Sequence, residues 1–138
     1  MELDMPETSP DLIRIEVFYK IPDPRGEALC RKFRSLGFTA DNVIITDNYL
    51  INIPFDPEKA GAIAELLAHP VTQGYMVNTP YLPDNFSFCI ETGFLPGVTD
   101  NVAHTVRESV EDLFHGELEM EKSVFSTVSY FISGISGI

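Results

Sequence analysis

Two stretches of the chain carry one signature, and that repetition constrains the fold more than any other feature. The first is Ile21-Pro22-Asp23-Pro24-Arg25-Gly26-Glu27-Ala28-Leu29. The second is Leu95-Pro96-Gly97-Val98-Thr99-Asp100-Asn101-Val102-Ala103-His104-Thr105-Val106. In each, an extended run ends in a Pro-containing turn, and an Asp then opens an amphipathic helix. Beyond the helices, Val43, Tyr49 and Ile51 recur as Val124, Tyr130 and Ile132 at a common offset of 81, while the two Asp residues lie 77 apart. A small β-α-β unit written twice predicts one domain with a local twofold.

Within this frame the chain reads in order. Leu12 to Lys20 alternates, with Ile13, Ile15, Val17 and Tyr19 on one side and Arg14, Glu16 and Lys20 on the other beside Leu12 and Phe18. This predicts a strand with one buried face and one mostly wet face. Asp23-Pro24 opens a helix with Ala28, Leu29, Phe33 and Leu36 inward, and Gly37 stops it. A long strand follows over Asn42 to Ile53. Asp56-Pro57 opens a second helix with Ala60, Ile63, Ala64 and Leu67 inward; His69-Pro70 ends it before a strand over Val71 to Asn78. In the second unit a strand over Phe86 to Gly93 precedes a helix capped by Thr99 or Asp100. Val102, Val106, Val110 and Leu113 are its expected inward stripe, His115-Gly116 its end, and Ser123 to Ser133 the last strand.

The resulting division is an acidic lead-in (1–11), a first unit (12–79), a Pro-containing linker and hinge (80–85) and a second unit (86–138). The second unit lacks counterparts of the helix at Asp56 and the strand at Val71. With the closing Ile-Ser-Gly-Ile-Ser-Gly-Ile, this leads to the expectation that the sequence is part of a longer polypeptide.

The 21 acidic against 9 basic residues give a net charge of −12, a field that repels phosphate backbones and anionic lipid. Nucleic acid and membrane surfaces are therefore not expected partners. The acidic N-terminus has no leader pattern and no run approaches the roughly 20 apolar residues of a membrane span, so a cytoplasmic location is expected. Cys30 and Cys89 have neither disulfide nor metal spacing and read as buried reduced thiols.

Reactive groups are sparse. No Gly-rich phosphate loop with its Lys occurs, and no Gly-x-Ser-x-Gly elbow. The Pro96-Gly97 turn precedes a helix N-terminus, but Asp100 beside it repels an anion. His104, Glu108, Glu111 and His115 share a helix face in a pattern open to metal, against which stand a solvated face and an acidic contact surface. The two equivalent helices differ in charge. Residues 23–37 set Arg25, Arg31, Lys32 and Arg34 against Asp23 and Glu27, a net of +2. Residues 99–116 set Arg107 against Asp100, Glu108, Glu111 and Asp112, a net of −3. Such faces suit docking onto two unlike surfaces. The expected working residues are thus interfacial: Asp23, Arg25, Arg31, Arg34, Asp100, His104, Arg107, Glu108 and Glu111. No catalytic, cofactor-binding or metal residue is assigned.

The strand, the PDP-x-G or PGV-x-D turn, the helix, the long strand and then Glu65-Leu66-Leu67-Ala68-His69-Pro70-Val71-Thr72-Gln73 resemble the small PurS-type subunit of phosphoribosylformylglycinamidine synthase. Two such units in tandem resemble the N-terminal domain of the long-chain synthase, over about residues 12–134. The resemblance implies an α+β fold of two ferredoxin-like halves about a pseudo-twofold, with helices on one face of antiparallel sheets. It implies a non-catalytic part of an enzyme that amidates formylglycinamide ribonucleotide with glutamine and ATP in purine biosynthesis. The implied partners are the synthetase and glutaminase portions, with ATP and magnesium in the holoenzyme and no cofactor in this chain; a homo-oligomer is compatible. A rival reading is a regulatory module that senses a small molecule between paired β-α-β units.

Overall fold

Alternating runs form strands and Asp-capped runs form helices in a computed structural model that describes residues 12–94, 100–115 and 124–137. In chain order these are β1 (Ile13–Tyr19), α1 (Pro24–Ser35), β2 (Phe38–Thr39), β3 (Asn42–Ile51) and α2 (Pro57–Leu67). There follow β4 (Gln73–Val77), β5 (Phe88–Gly93), α3 (Asn101–Phe114), β6 (Val124–Ser133) and β7 (Ser136–Gly137). The class is α+β. Strands from both halves of the chain join in one antiparallel sheet of order β4-β1-β3-β6-β5.

The central pair is β3 and β6, matched over ten residues. Val43 faces Ile132, Asp47 faces Val128 and Ile51 faces Val124. Advancing every number by 81 turns Val43 and Ile51 into Val124 and Ile132, so the first and last of these pairs exchange. β1 flanks β3 and β5 flanks β6, each antiparallel to its neighbour.

Each helix begins where a carboxylate meets free backbone N–H groups. The Asp23 side chain accepts from the Arg25 N–H at 3.0 Å, and Asp56 accepts from Glu58 and Lys59 at 2.9 and 3.3 Å. Of the two candidates for α3, Asp100 is the cap, accepting from the Ala103 N–H at 2.9 Å. His115, left-handed at φ 56°, ends α3.

All three helices lie on the face carrying Ile13, Ile15, Val17, Val43, Ile45, Ile51, Val124 and Ile132. The α2 stripe is as expected, with Ala60, Ile63 and Ala64 buried and Leu67 packed beside them. Two stripes are corrected. On α1, Ala28 and Leu36 are exposed, and the packed residues are Gly26, Leu29, Cys30 and Phe33. Without a Cβ, Gly26 lets the helix backbone approach the Val43 carbonyl, where a methyl group would overlap it. On α3, Val102 is 47% exposed and Ala103 takes the inward place beside Val106 and Val110. Both shifts rotate the helix so that a small residue meets the sheet.

The opposite face is not the wet surface expected. Glu16, Thr46, Asn48, Ser129 and Phe131 are buried there. Part of the reason is the connection from β4 to β5, which crosses this face. Tyr81 stacks on Phe18 at 4.2 Å between ring centroids, and Phe86 sits edge-on to Phe131 at 5.0 Å. The expected hinge residues 80–85 include this anchored Tyr81, whose N–H donates to the Glu16 carboxylate at 2.8 Å. A further unanticipated feature is the ribbon of β2 with β7, which ties Ser136–Gly137 to Phe38–Thr39.

Candidate assembly interface

The residues expected to act fall into four groups. At the start of α1, Arg25 reaches back to Asp23 at 2.9 Å and down to Asp47 on the sheet at 3.0 Å. Its guanidinium also lies 5.7 Å from the centre of the Tyr19 ring. The hydrogen bond to Asp47 dominates the forces on this cation and, with Asp23, outweighs partial burial, so its pKa rises above the usual arginine value. Asp47 faces Val128 at the midpoint of the β3–β6 pairing. Tyr49, nearby on the same face, has its pKa raised by burial first and by the Asp47 charge second.

At the start of α3, Asp100 does more than cap. Its carboxylate also accepts from the Ser126 N–H at 3.0 Å and from the Ser126 hydroxyl at 2.8 Å, locking the helix to β6. The role is positional. The adjoining turn, residues 95–99, lies outside the described residues, as does the acidic connection at 117–121.

Along α3 the ionic residues pair within the helix. His104 lies 3.2 Å from Glu108, both well exposed, and Arg107 lies 3.3 Å from Glu111 in a more sheltered place. The metal pattern does not assemble: among the described residues no group of three or more His, Cys, Asp or Glu side chains is placed to hold an ion. On α1, Arg31 and Arg34 are exposed and form no ion pair with another described residue.

A cluster not anticipated from the sequence occupies the centre of the opposite face. Arg14 donates to Glu16 at 2.7 Å and to Glu91 at 3.1 and 3.2 Å, bridging β1 to β5 over the two strands between them. Glu91 accepts from Thr127 at 2.5 Å. Asn48 donates to Thr127 at 3.1 Å and to Ser129 at 2.8 Å, and accepts from Thr46 at 2.9 Å. Burial opposes the Arg14 charge, but the hydrogen bond to Glu16 and the charges of Glu91 and Glu16 prevail and raise its pKa. Every group thus has a partner that holds it in place. Such a network fixes register rather than performing chemistry. Its one sequence signal was polar residues at strand positions facing away from the helices.

Neither thiol is fully buried, against expectation, and Cys89 is exposed. Partial burial and then the Glu91 charge push its pKa up, the wrong direction for an activated nucleophile. The stretch Leu66 to Gln73 has a structural use. The His69 Nδ1 accepts from the Val71 and Thr72 N–H groups at 3.2 and 3.3 Å, and Gln73 accepts from the His69 N–H at 2.7 Å. It shapes the turn from α2 into β4. No helix among the described residues is long and apolar enough to cross a membrane. No protein-family model matches this chain, and no curated protein matches it significantly.

Proposed function

We propose that the chain is a non-catalytic assembly domain of phosphoribosylformylglycinamidine synthase, built from tandem PurS-like units with ferredoxin-like halves about a local twofold. It couples the synthetase portion to the glutaminase portion of a holoenzyme that uses ATP and magnesium. The observation that carries this reading is the agreement of two independent offsets. The β3–β6 register exchanges under the spacing of 81 that relates the sequence repeats. The packed stripe Gly26, Leu29, Phe33 on α1 becomes Ala103, Val106, Val110 on α3 under the spacing of 77 that relates their Asp caps. The two helices thereby occupy equivalent places and present opposite charge, which suits two unlike partners.

The turns and exposed sides of α1 and α3 are the working surfaces, and Arg31, Arg34, His104 and Glu108 are their outermost groups. Mixing the chain with the synthetase and glutaminase portions tests the proposal by light scattering. A ternary species that strengthens with glutamine supports it. Three independent peaks contradict it, and a free amino acid that alone raises the melting temperature moves the reading to a sensor.

A further inference from the structure

Three of the chain's Pro turns, Asp23-Pro24, Asp56-Pro57 and His69-Pro70, are held by the side chain in front of the proline. At Asp56 the carboxylate accepts from the N–H groups two and three residues on, Glu58 and Lys59, at 2.9 and 3.3 Å. His69 does the same with its ring, where Nδ1 accepts from the Val71 and Thr72 N–H groups at 3.2 and 3.3 Å. The rest of the turn closes around it. The His69 N–H donates to the Gln73 side chain at 2.7 Å, and the Gln73 N–H returns to the His69 carbonyl at 3.0 Å. The Thr72 carbonyl then accepts from the Lys20 N–H at 2.7 Å, which ties the turn to the end of β1, and Gln73 opens β4 opposite Tyr19. Acid affects the two kinds of cap differently. A carboxylate stays ionised down to about pH 4, whereas an imidazole nitrogen accepts only while it carries no proton. Two donors aimed at Nδ1 fix the neutral tautomer, with its proton on Nε2. A second proton has only Nδ1 to go to, where it would point at two N–H groups.

We propose that His69 is an acid-released latch on the turn from α2 into β4. Neutral, it holds the Val71 and Thr72 N–H groups. Protonated, it lets them go and loosens the start of β4 where that strand joins β1. The sign follows from which form is bound: the hold is present above histidine's ordinary value of about 6.5 and is lost as pH falls through it. The side chain is exposed, so water receives the charged ring once it swings away. The ionisable groups on the elements that meet this turn are Glu65 on α2, Tyr75 on β4, and Tyr19 and Lys20 at the end of β1. Glu65 accepts from the Tyr75 hydroxyl at 2.8 Å, and none of these four described residues forms a hydrogen bond or an ion pair with the ring. The opening is local, because α2 keeps Ala60, Ile63 and Ala64 in the core. The latch operates whether or not the chain binds a synthetase or a glutaminase.

Nuclear magnetic resonance on the full chain between about pH 7.5 and pH 5.5 tests the latch. Ring nitrogen shifts should report the Nε2–H form of His69 at the upper value. As the ring takes up its proton, the Val71 and Thr72 amides should lose at least about fivefold in protection from hydrogen exchange, corrected for the intrinsic rate, with the ring's own midpoint. His69→Asn, which offers a neutral acceptor of similar reach, should abolish that pH dependence. Any of four results overturns the latch: an Nδ1–H ring or unprotected amides at the upper pH, protection unchanged at the lower pH, a fall with another midpoint, or a fall that persists in His69→Asn.

Discussion

Arg14 is the side chain on which the helix-free face depends most. Glu16 is nearly buried and Glu91 half open, and this one guanidinium answers both. Arg14→Met strands the Glu16 charge and is expected to cost about 2–3 kcal/mol, discounted from the figure for fully buried pairs because Arg14 keeps some solvent. Adding Glu16→Gln should restore a good part of that loss, a coupling that a double-mutant cycle by urea unfolding measures. A second residue-level expectation concerns alkali. Burial raises the pKa of Tyr49 and Tyr81, and the Glu65 hydrogen bond raises that of Tyr75. The folded state thus favours the neutral phenols. Their contribution is fully present below the ordinary phenol value of about 10 and is lost as pH rises through the folded values. Ultraviolet titration should show Tyr49, Tyr75 and Tyr81 ionising above the ordinary phenol value, with stability declining as they do.

At the level of elements, caps and stripes make separable predictions. Asp56 serves α2 alone, so Asp56→Ala should cost about 1 kcal/mol, the ordinary loss of a cap. Asp100 also satisfies Ser126 on β6, so Asp100→Ala should cost about 2–3 kcal/mol by thermal or urea unfolding. Gly26→Ala improves helix propensity yet forces α1 off Val43; a net loss of about 1–3 kcal/mol is expected, where the same change at Gly61, whose added methyl would meet open space, should stabilise. These contrasts also mark what the sequence could reveal. Asp-Pro starts are local chemistry, and the boundaries of α1 and α2 follow from them. Leu36 and Val102 read as inward because they are apolar at helical spacing. A small residue elsewhere on the same helix, Gly26 on α1 or Ala103 on α3, lets the backbone approach more closely, and periodicity is blind to that. The Arg14 network was illegible for another reason: it needs the register that sets Asn48 against Thr127 and brings β1 and β5 to the same centre. The ribbon of β2 with β7 is two residues per strand, too short for any alternation to show.

For the whole molecule, the proposed role is docking by a duplicated β-α-β scaffold, through two equivalent helices of opposite charge. The helix faces and the sheet register are consistent with a duplication, and in the proposed role the opposite charges of α1 and α3 suit two unlike partners. Salt should therefore weaken the assembly steeply, because Arg31, Lys32 and Arg34 act through exposed charge. The most direct measurement is hydrogen exchange on the chain alone and in mixtures with the synthetase and glutaminase portions. One portion should slow exchange around α1 and the other around α3, with Arg31→Glu and Arg34→Glu weakening only the first. Identical exchange in all mixtures, or both portions competing for one helix, would contradict it.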